Sequence, residues 1–282
     1  HDNSQLYKLG ETNPYVEAFF SWWETDLHQT LKELRITGGE PLMSAATWKL
    51  IDWFRDNPGR TQTRLAINSN LGHEVDIDRL LTSVKGLPVE IYTSMESTGQ
   101  HAEYIRDGLD YQAWCQNVVK LLDAGLVVHF MATINALCLD SLTDHLDQLV
   151  KWKQQYGRDQ VNFTLNILRF PSFQSPLVLP DDIRTQYKNK LQDFYQSHND
   201  GTFHEFELNQ LQRLIDYLDV IKTPHKNVKD PEQNKRDFKQ FYHQYDVRRG
   251  KNFRATFPPE FVQWYDSIET ELPTAEEILT GQ

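Results

Sequence analysis

The stretch LRITGGEPLMS, Leu34 to Ser44, decides how this chain is read. Leu34-Arg35-Ile36 has the composition of a short strand, and two glycines, an acid and a proline follow at once. Glycines at a strand end leave the main chain open to close approach, because no Cβ stands in the way. The acid, Glu40, then faces whatever approaches, so the stretch suits a ligand with a positive end. Taken alone, it is equally a tight strand-to-helix turn.

Working outward, strands and helices alternate. The spacing predicts a helix over Pro14–Lys32, a strand over Glu33–Thr37 and a helix from Ser44, its expected N-cap, with Trp48, Ile51 and Phe54 on one face. Further strands are expected from Thr63, over Val89–Ser94, over Leu126–Asn135 and over Val161–Leu168. Helices are expected near Ile77–Val84, Tyr111–Asp123 and from Ser141 to Tyr156. The nearly unbroken apolar run of Leu126–Asn135 predicts a strand covered on both faces. Five such alternations are the mark of βαβ units and a parallel sheet.

After Phe170-Pro171 the pattern changes. Helices are expected near Asp182–Ser197, His204–Ile221 and Pro231–Tyr245, with a polar linker from Thr223 to Lys235. This places an α/β core over residues 1–170 and a helical C-terminal region over 171–282.

The net charge of −11 argues against a nucleic-acid backbone or an anionic membrane as the main partner. No apolar run approaches the roughly 20 residues a bilayer needs. The chain has two cysteines, Cys115 and Cys138. Two exclude a disulfide framework and suggest a reducing, cytoplasmic setting. The ten histidines form no ligand-spaced cluster, so no metal ligand is assigned, and no catalytic residue is assigned.

Ligands bind at the carboxyl ends of parallel strands. The candidates are therefore Gly38, Gly39, Glu40 and Pro41, then Asn68 and Asn70, then Ser94 and Glu96, then Thr133 and Asn135. Each has a plainer reading. Ser94 and Glu96 could cap the next helix, the asparagines could serve turns, and Arg106 could be a surface ion pair. Cys115 reads as core packing and Cys138 as an inert or surface thiol. Trp22-Trp23 and Phe238, Phe241, Tyr242 and Tyr245 read as packing faces. Asn162-Phe163-Thr164 is a glycosylation acceptor on paper only.

The ordered set carries a resemblance. ITGGEPLMS resembles the GGEP motif of the radical S-adenosylmethionine (radical SAM) superfamily. INSNLG, YTSMESTGQHAEYIRDGLDYQAW and MATINALCLDSL resemble its next three strand ends, with Glu96 where Asp is usual. RFPSFQSPLVLP and YDVRRGKNFRATFPPE resemble the twitch-domain-containing subgroup. The resemblance implies a partial (β/α)6 TIM-like barrel with its first strand missing, followed by the helical region. It implies SAM as cofactor, with Gly39 and Glu40 at the methionyl ammonium. Ser94 would lie at the carboxylate or ribose, Arg106 would be a counter-charge, and Asn68, Asn70, Thr133 and Asn135 would line the adenosine or substrate side. It also implies a 4Fe–4S cluster, held by a CxxxCxxC loop that this sequence lacks. The loop is expected upstream of His1, so the chain reads as an inactive fragment of a radical SAM enzyme. No second cluster is expected. A peptide or small-molecule substrate and an electron donor such as a flavodoxin or ferredoxin are expected partners. Two alternatives stay open: a cluster-less radical-SAM-fold binding or scaffolding subunit, and an unrelated TIM-like barrel enzyme acting on a small polar metabolite.

Overall fold

The computed structural model describes residues 13–219 and 230–280. Its class is α/β. Five strands form a sheet in the order β1-β2-β3-β4-β5, and the pairs β1–β2, β2–β3 and β4–β5 are parallel. Strand order that follows chain order is the connectivity of a (β/α) barrel; a doubly wound sheet reverses it. No described helix is long and apolar enough to cross a membrane. By internal contacts the chain divides into two compact units, residues 1–70 with 74–92 and residues 71–73 with 93–282.

In the first unit, Asn13 caps α1 (Pro14–Trp22) by accepting from the Tyr15 amide, and Pro14 occupies the first turn, where a missing N–H costs nothing. The helix continues through one π turn, Trp23–Leu27, into α2 (His28–Thr30). The tryptophan pair does not share one face as expected. Trp23 is fully buried against Trp53 and Phe54, whereas Trp22 is 57% exposed. Adjacent residues on a helix point about 100° apart, so one apolar stripe cannot hold both.

β1 (Glu33–Ile36) leads to a 3₁₀ turn, Pro41–Met43, and to α3 (Ala45–Asp56). Ser44 stands at the N-cap of α3 but makes no side-chain cap bond. The turn is held instead by Trp48, whose indole N–H donates to the Leu42 carbonyl at 2.8 Å. β2 (Arg64–Asn68), α4 (Ile77–Ser83) and, as far as Tyr92, β3 (Val89–Ser94) complete the unit. Leu65, Ile67 and Ile91 are buried on one sheet face. The other face carries charge: Arg64 bridges Glu33 and Glu90, and the Arg35 guanidinium lies 4.0 Å from the centre of the Tyr92 ring. Hydrogen bonds from Arg64 and Arg35 hold the Glu33 carboxyl below its ordinary value.

The second unit holds α5 (Gly99–Ile105), α6 (Tyr111–Asp123), β4 (Val127–Ile134), α7 (Leu142–Tyr156) and β5 (Val161–Ile167). β4 is not covered on both faces. Val128, Phe130, Ala132 and Ile134 are buried, but His129 and Met131 are half-buried and Thr133 is exposed. The apolar run arises because Val127 and Met131 stand on the polar face, and composition alone hides that alternation. On β5 the same face carries Asn162, Thr164 and Asn166, in register with His129, Met131 and Thr133. Asn162 is 8% exposed and donates to the Asp159 carbonyl, which fits its reading as a glycosylation site on paper only.

No strand follows β5 among the described residues, so the change expected near residue 170 is a change of element type. The elements are α8 (Asp181–Ser197), α9 (Glu205–Asp219), α10 (Pro231–Arg249), α11 (Phe253–Thr256), α12 (Pro259–Ser267) and α13 (Ala275–Thr280). Within the expected linker, 223–229 lie outside the described residues, while Asp230 caps α10 and Pro231–Lys235 are helical.

α9 seals the outer edge of β5. Glu207 accepts from the Phe163 amide at 3.0 Å, Gln210 from the Leu165 amide at 2.6 Å, and Arg213 donates to the Leu165 carbonyl. Spaced three apart on one helix face, these side chains take the place of a neighbouring strand. Lys153 joins them, donating to the Val161 carbonyl and to Glu207 at 3.0 Å. Burial pulls the Lys153 ammonium below its ordinary range, against the attraction of Glu207.

Candidate functional site

In the first unit the GGEP turn is built as its chemistry suggests. Gly38 has φ +107°, a conformation that a side chain would strain. A Cβ at Gly38 or Gly39 would meet nothing within 4 Å, so the glycines do not serve packing. Pro41 is buried and starts the 3₁₀ turn. Glu40 is half-buried, and both its oxygens are engaged. Oε1 accepts from the Leu42 amide at 3.0 Å and Oε2 from the Asn70 amide at 2.7 Å. The carboxylate therefore caps the turn and ties the end of β1 to the end of β2. An ionised carboxylate has about four acceptor sites, so two bonds leave room for an ammonium. Asn70 also donates from its side chain to Glu74 at 2.9 Å. Asn68, the last residue of β2, has a buried Oδ1 with no hydrogen-bond partner. A buried amide oxygen left unpaired costs about 1–3 kcal/mol, which a ligand hydroxyl or amine would offset.

In the second unit, Ser94 ends β3 and is half-buried. Neither Ser94 nor Glu96 caps α5, whose N-cap position is Thr98. Glu96 is 2% exposed, and its Oε2 accepts from the Arg106 guanidinium and, at 3.5 Å, from the Thr133 amide. Arg106 is thus no surface ion pair, because its partner is buried. Its Nε is also buried and has no partner. Thr133 is exposed at the end of β4. Asn135 is used up by its own turn. Its Oδ1 accepts from the Leu137 and Cys138 amides at 2.9 and 3.1 Å, and its Nδ2 donates to the Thr133 carbonyl at 3.1 Å. Asn135 supports Thr133; the turn reading fits it better than the ligand reading.

In the first unit, the open glycine pair with its carboxylate and the unpaired Asn68 amide oxygen fit the ammonium and a hydroxyl of a nucleoside sulfonium. The residues present do not fit an iron–sulfur cluster. Such a cluster needs thiolates, and among the described residues no three His, Cys, Asp or Glu side chains converge. Cys115 is half-buried on α6 and Cys138 is fully buried, not a surface thiol. Burial pushes both thiols up, Cys138 far above its ordinary value with help from the Glu96 charge.

Several polar residues here escape sequence reasoning. Ser97 and Ser141 pair through their hydroxyls; Ser141 starts α7 without a side-chain cap bond of its own. His145 is 1% exposed, and neither ring nitrogen has a partner. Burial, then the Arg106 charge, pull its pKa down to about 3. The serine pair joins residues far apart in the chain, and the burial of His145 depends on packing, so no local spacing announces either.

No family model matches the chain, and no curated protein matches it. Solved structures to which it is similar include native anSMEcpe with bound AdoMet, at 13% identity and a TM-score of 0.47, over 68% of this chain and 54% of that one. Two others are native anSMEcpe with bound AdoMet and the Cp18Cys or the Kp18Cys peptide, each at 15% identity and a TM-score of 0.41, over 61% of this chain and 48% of that one. The chain therefore spans about half the length of these structures.

Proposed function

We propose that this chain is the SAM-binding α/β core of a radical SAM enzyme. The observation that supports it most is the Gly38–Pro41 turn, where an open main chain lies beside a carboxylate held in place by the Asn70 amide. Glu40 and the Gly39 carbonyl receive the methionyl ammonium. The Asn68 amide oxygen accepts from the adenosine or ribose. Arg106, Ser94 and Thr133, in the second unit, take their roles at the SAM carboxylate and the substrate side from the resemblance alone. The described residues bind and orient, and no three of their His, Cys, Asp or Glu side chains converge to hold a cluster; the reductive cleavage implied by the resemblance belongs to a protein that also supplies the cluster loop. A peptide substrate, a flavodoxin or ferredoxin as electron donor, membership of the twitch-domain subgroup and a cytoplasmic setting belong to the same proposal.

Calorimetric titration tests it. SAM is expected to bind this chain more tightly than 5′-methylthioadenosine, which lacks the amino-acid end. Equal affinities, or no heat with SAM at about 1 mM, would sink the binding reading. In the full-length protein, anaerobic and supplied with iron, sulfide and a reductant, release of 5′-deoxyadenosine is expected. SAM binding without that release would favour the cluster-less binding subunit.

A further inference from the structure

Helix α5 is short, and a helix end leaves backbone carbonyls without partners inside the helix. Two of those carbonyls are capped from far along the chain. The Tyr104 carbonyl accepts from the Tyr245 hydroxyl at 2.8 Å, and the Glu103 carbonyl accepts from Lys251 Nζ at 3.0 Å. Further contacts follow the same line. The Tyr104 hydroxyl donates to Asp246 at 2.8 Å, and the other oxygen of Asp246 accepts from the Phe253 amide at 2.9 Å. Asp107, just past the helix, meets Arg249 at 3.0 Å and Lys251 at 3.6 Å. At the start of α5, His101 Nε2 donates to the Thr256 carbonyl at 2.7 Å, and its ring stacks on Phe257 with 5.1 Å between centres. A backbone carbonyl only accepts, so Nε2 carries the proton. The Tyr104 ring packs among Tyr245, Phe253 and Phe257.

Both ends of α5 border the charged pair described above. Glu96 lies three residues before it, and Arg106 is its C-cap. We infer that α10 and α11 form a clamp on α5 that positions the Arg106–Glu96 pair for its ligand. Tyr245, Asp246 and Lys251 are positioning residues; they act through α5 on Arg106. A helix held at both ends fixes the backbone from which Arg106 reaches Glu96. The helical C-terminal region then orders the segment that carries Arg106, in addition to any part it plays in choosing a substrate. Only the ligand in this inference rests on the proposed function; the clamp stands on the contacts.

The test is the double variant Tyr245→Phe, Lys251→Met in this chain, with Tyr245→Phe, Lys251→Arg as the conservative control. Three readouts are taken: amide exchange across residues 99–106, the Arg106 Nε–H nuclear magnetic resonance signal, and SAM affinity by calorimetry. In the double variant, α5 amides are expected to exchange about 10–100-fold faster with α6 and β4 unchanged, and the Arg106 signal to broaden. SAM affinity is expected to fall about tenfold, with 5′-methylthioadenosine unaffected. The control regains only the Lys251 bond, so it should recover all three in part. Wild-type exchange and an unchanged Arg106 signal would overturn the clamp, as would a loosened α5 that leaves SAM affinity intact. If the unaltered chain binds no SAM, the proposed function fails, and the exchange and Arg106 signals still decide the clamp.

Discussion

Replacing Glu40 by Gln separates the two jobs its carboxylate holds. In the native chain it accepts from the Leu42 amide at 3.0 Å and from the Asn70 amide at 2.7 Å. Bonds to a charged acceptor contribute about 1.5–3 kcal/mol each. Gln keeps one carbonyl for one amide and turns an NH₂ toward the other, donor against donor. Full burial would make that a loss of ~2–3 kcal/mol; with Glu40 half-buried, water takes part of the duty and ~1–2 kcal/mol is expected. The ligand feels a different loss. An ammonium about 4 Å from a carboxylate gains ~4 kcal/mol at an effective dielectric near 20. Competition from water brings the net toward ~1.5–3 kcal/mol, a factor of roughly 10–100 in affinity. Urea unfolding and SAM titration on one preparation read the two quantities side by side. 5′-Methylthioadenosine, with no ammonium, should bind both proteins alike. A variant that loses stability yet binds SAM as the wild type does would refute the reasoning and leave Glu40 as a cap of the turn alone.

Three further outcomes are expected. His145 stays neutral in the fold, with a pKa pulled to about 3, while the unfolded chain protonates it below its ordinary value of 6.5. Stability should therefore fall as pH drops through that window, by ~1.4 kcal/mol per unit from this residue; urea midpoints at several pH values should show a gentler slope for His145→Phe, and identical slopes would refute the assignment. Glu207→Ala strands the buried Lys153 ammonium and should cost ~3–5 kcal/mol, most of it recovered by adding Lys153→Met; equal losses in the single and double variants would show that the edge bonds, not the charge, matter. Ellman's reagent should find Cys138 silent in the native chain and reactive in denaturant, because burial holds its thiol protonated; rapid native reaction of both cysteines would contradict its placement.

The alternation of elements was legible because period and punctuation are local. Trp48, Ile51 and Phe54 recur at helical spacing, and Asn57-Pro58-Gly59 stops the helix within one turn of where it ends. The GGEP turn was legible for the same reason: a positive φ at Gly38 and a capping acid at Glu40 need only the residues beside them. Burial of β4 was misread, since composition does not say on which face Val127 and Met131 stand.

Sequence alone settled the α/β class, the strand positions and the turn that marks the candidate site, because backbone preference and side-chain period act over a few residues. Only the tertiary structure decided what those residues do. Packing set Asn70 on Glu40 and Arg106 on a buried Glu96, consumed Asn135 in its own turn, and brought Tyr245 and Lys251 to the end of α5. Those partnerships depend on through-space distance between segments far apart in the chain, a quantity that residue order does not carry.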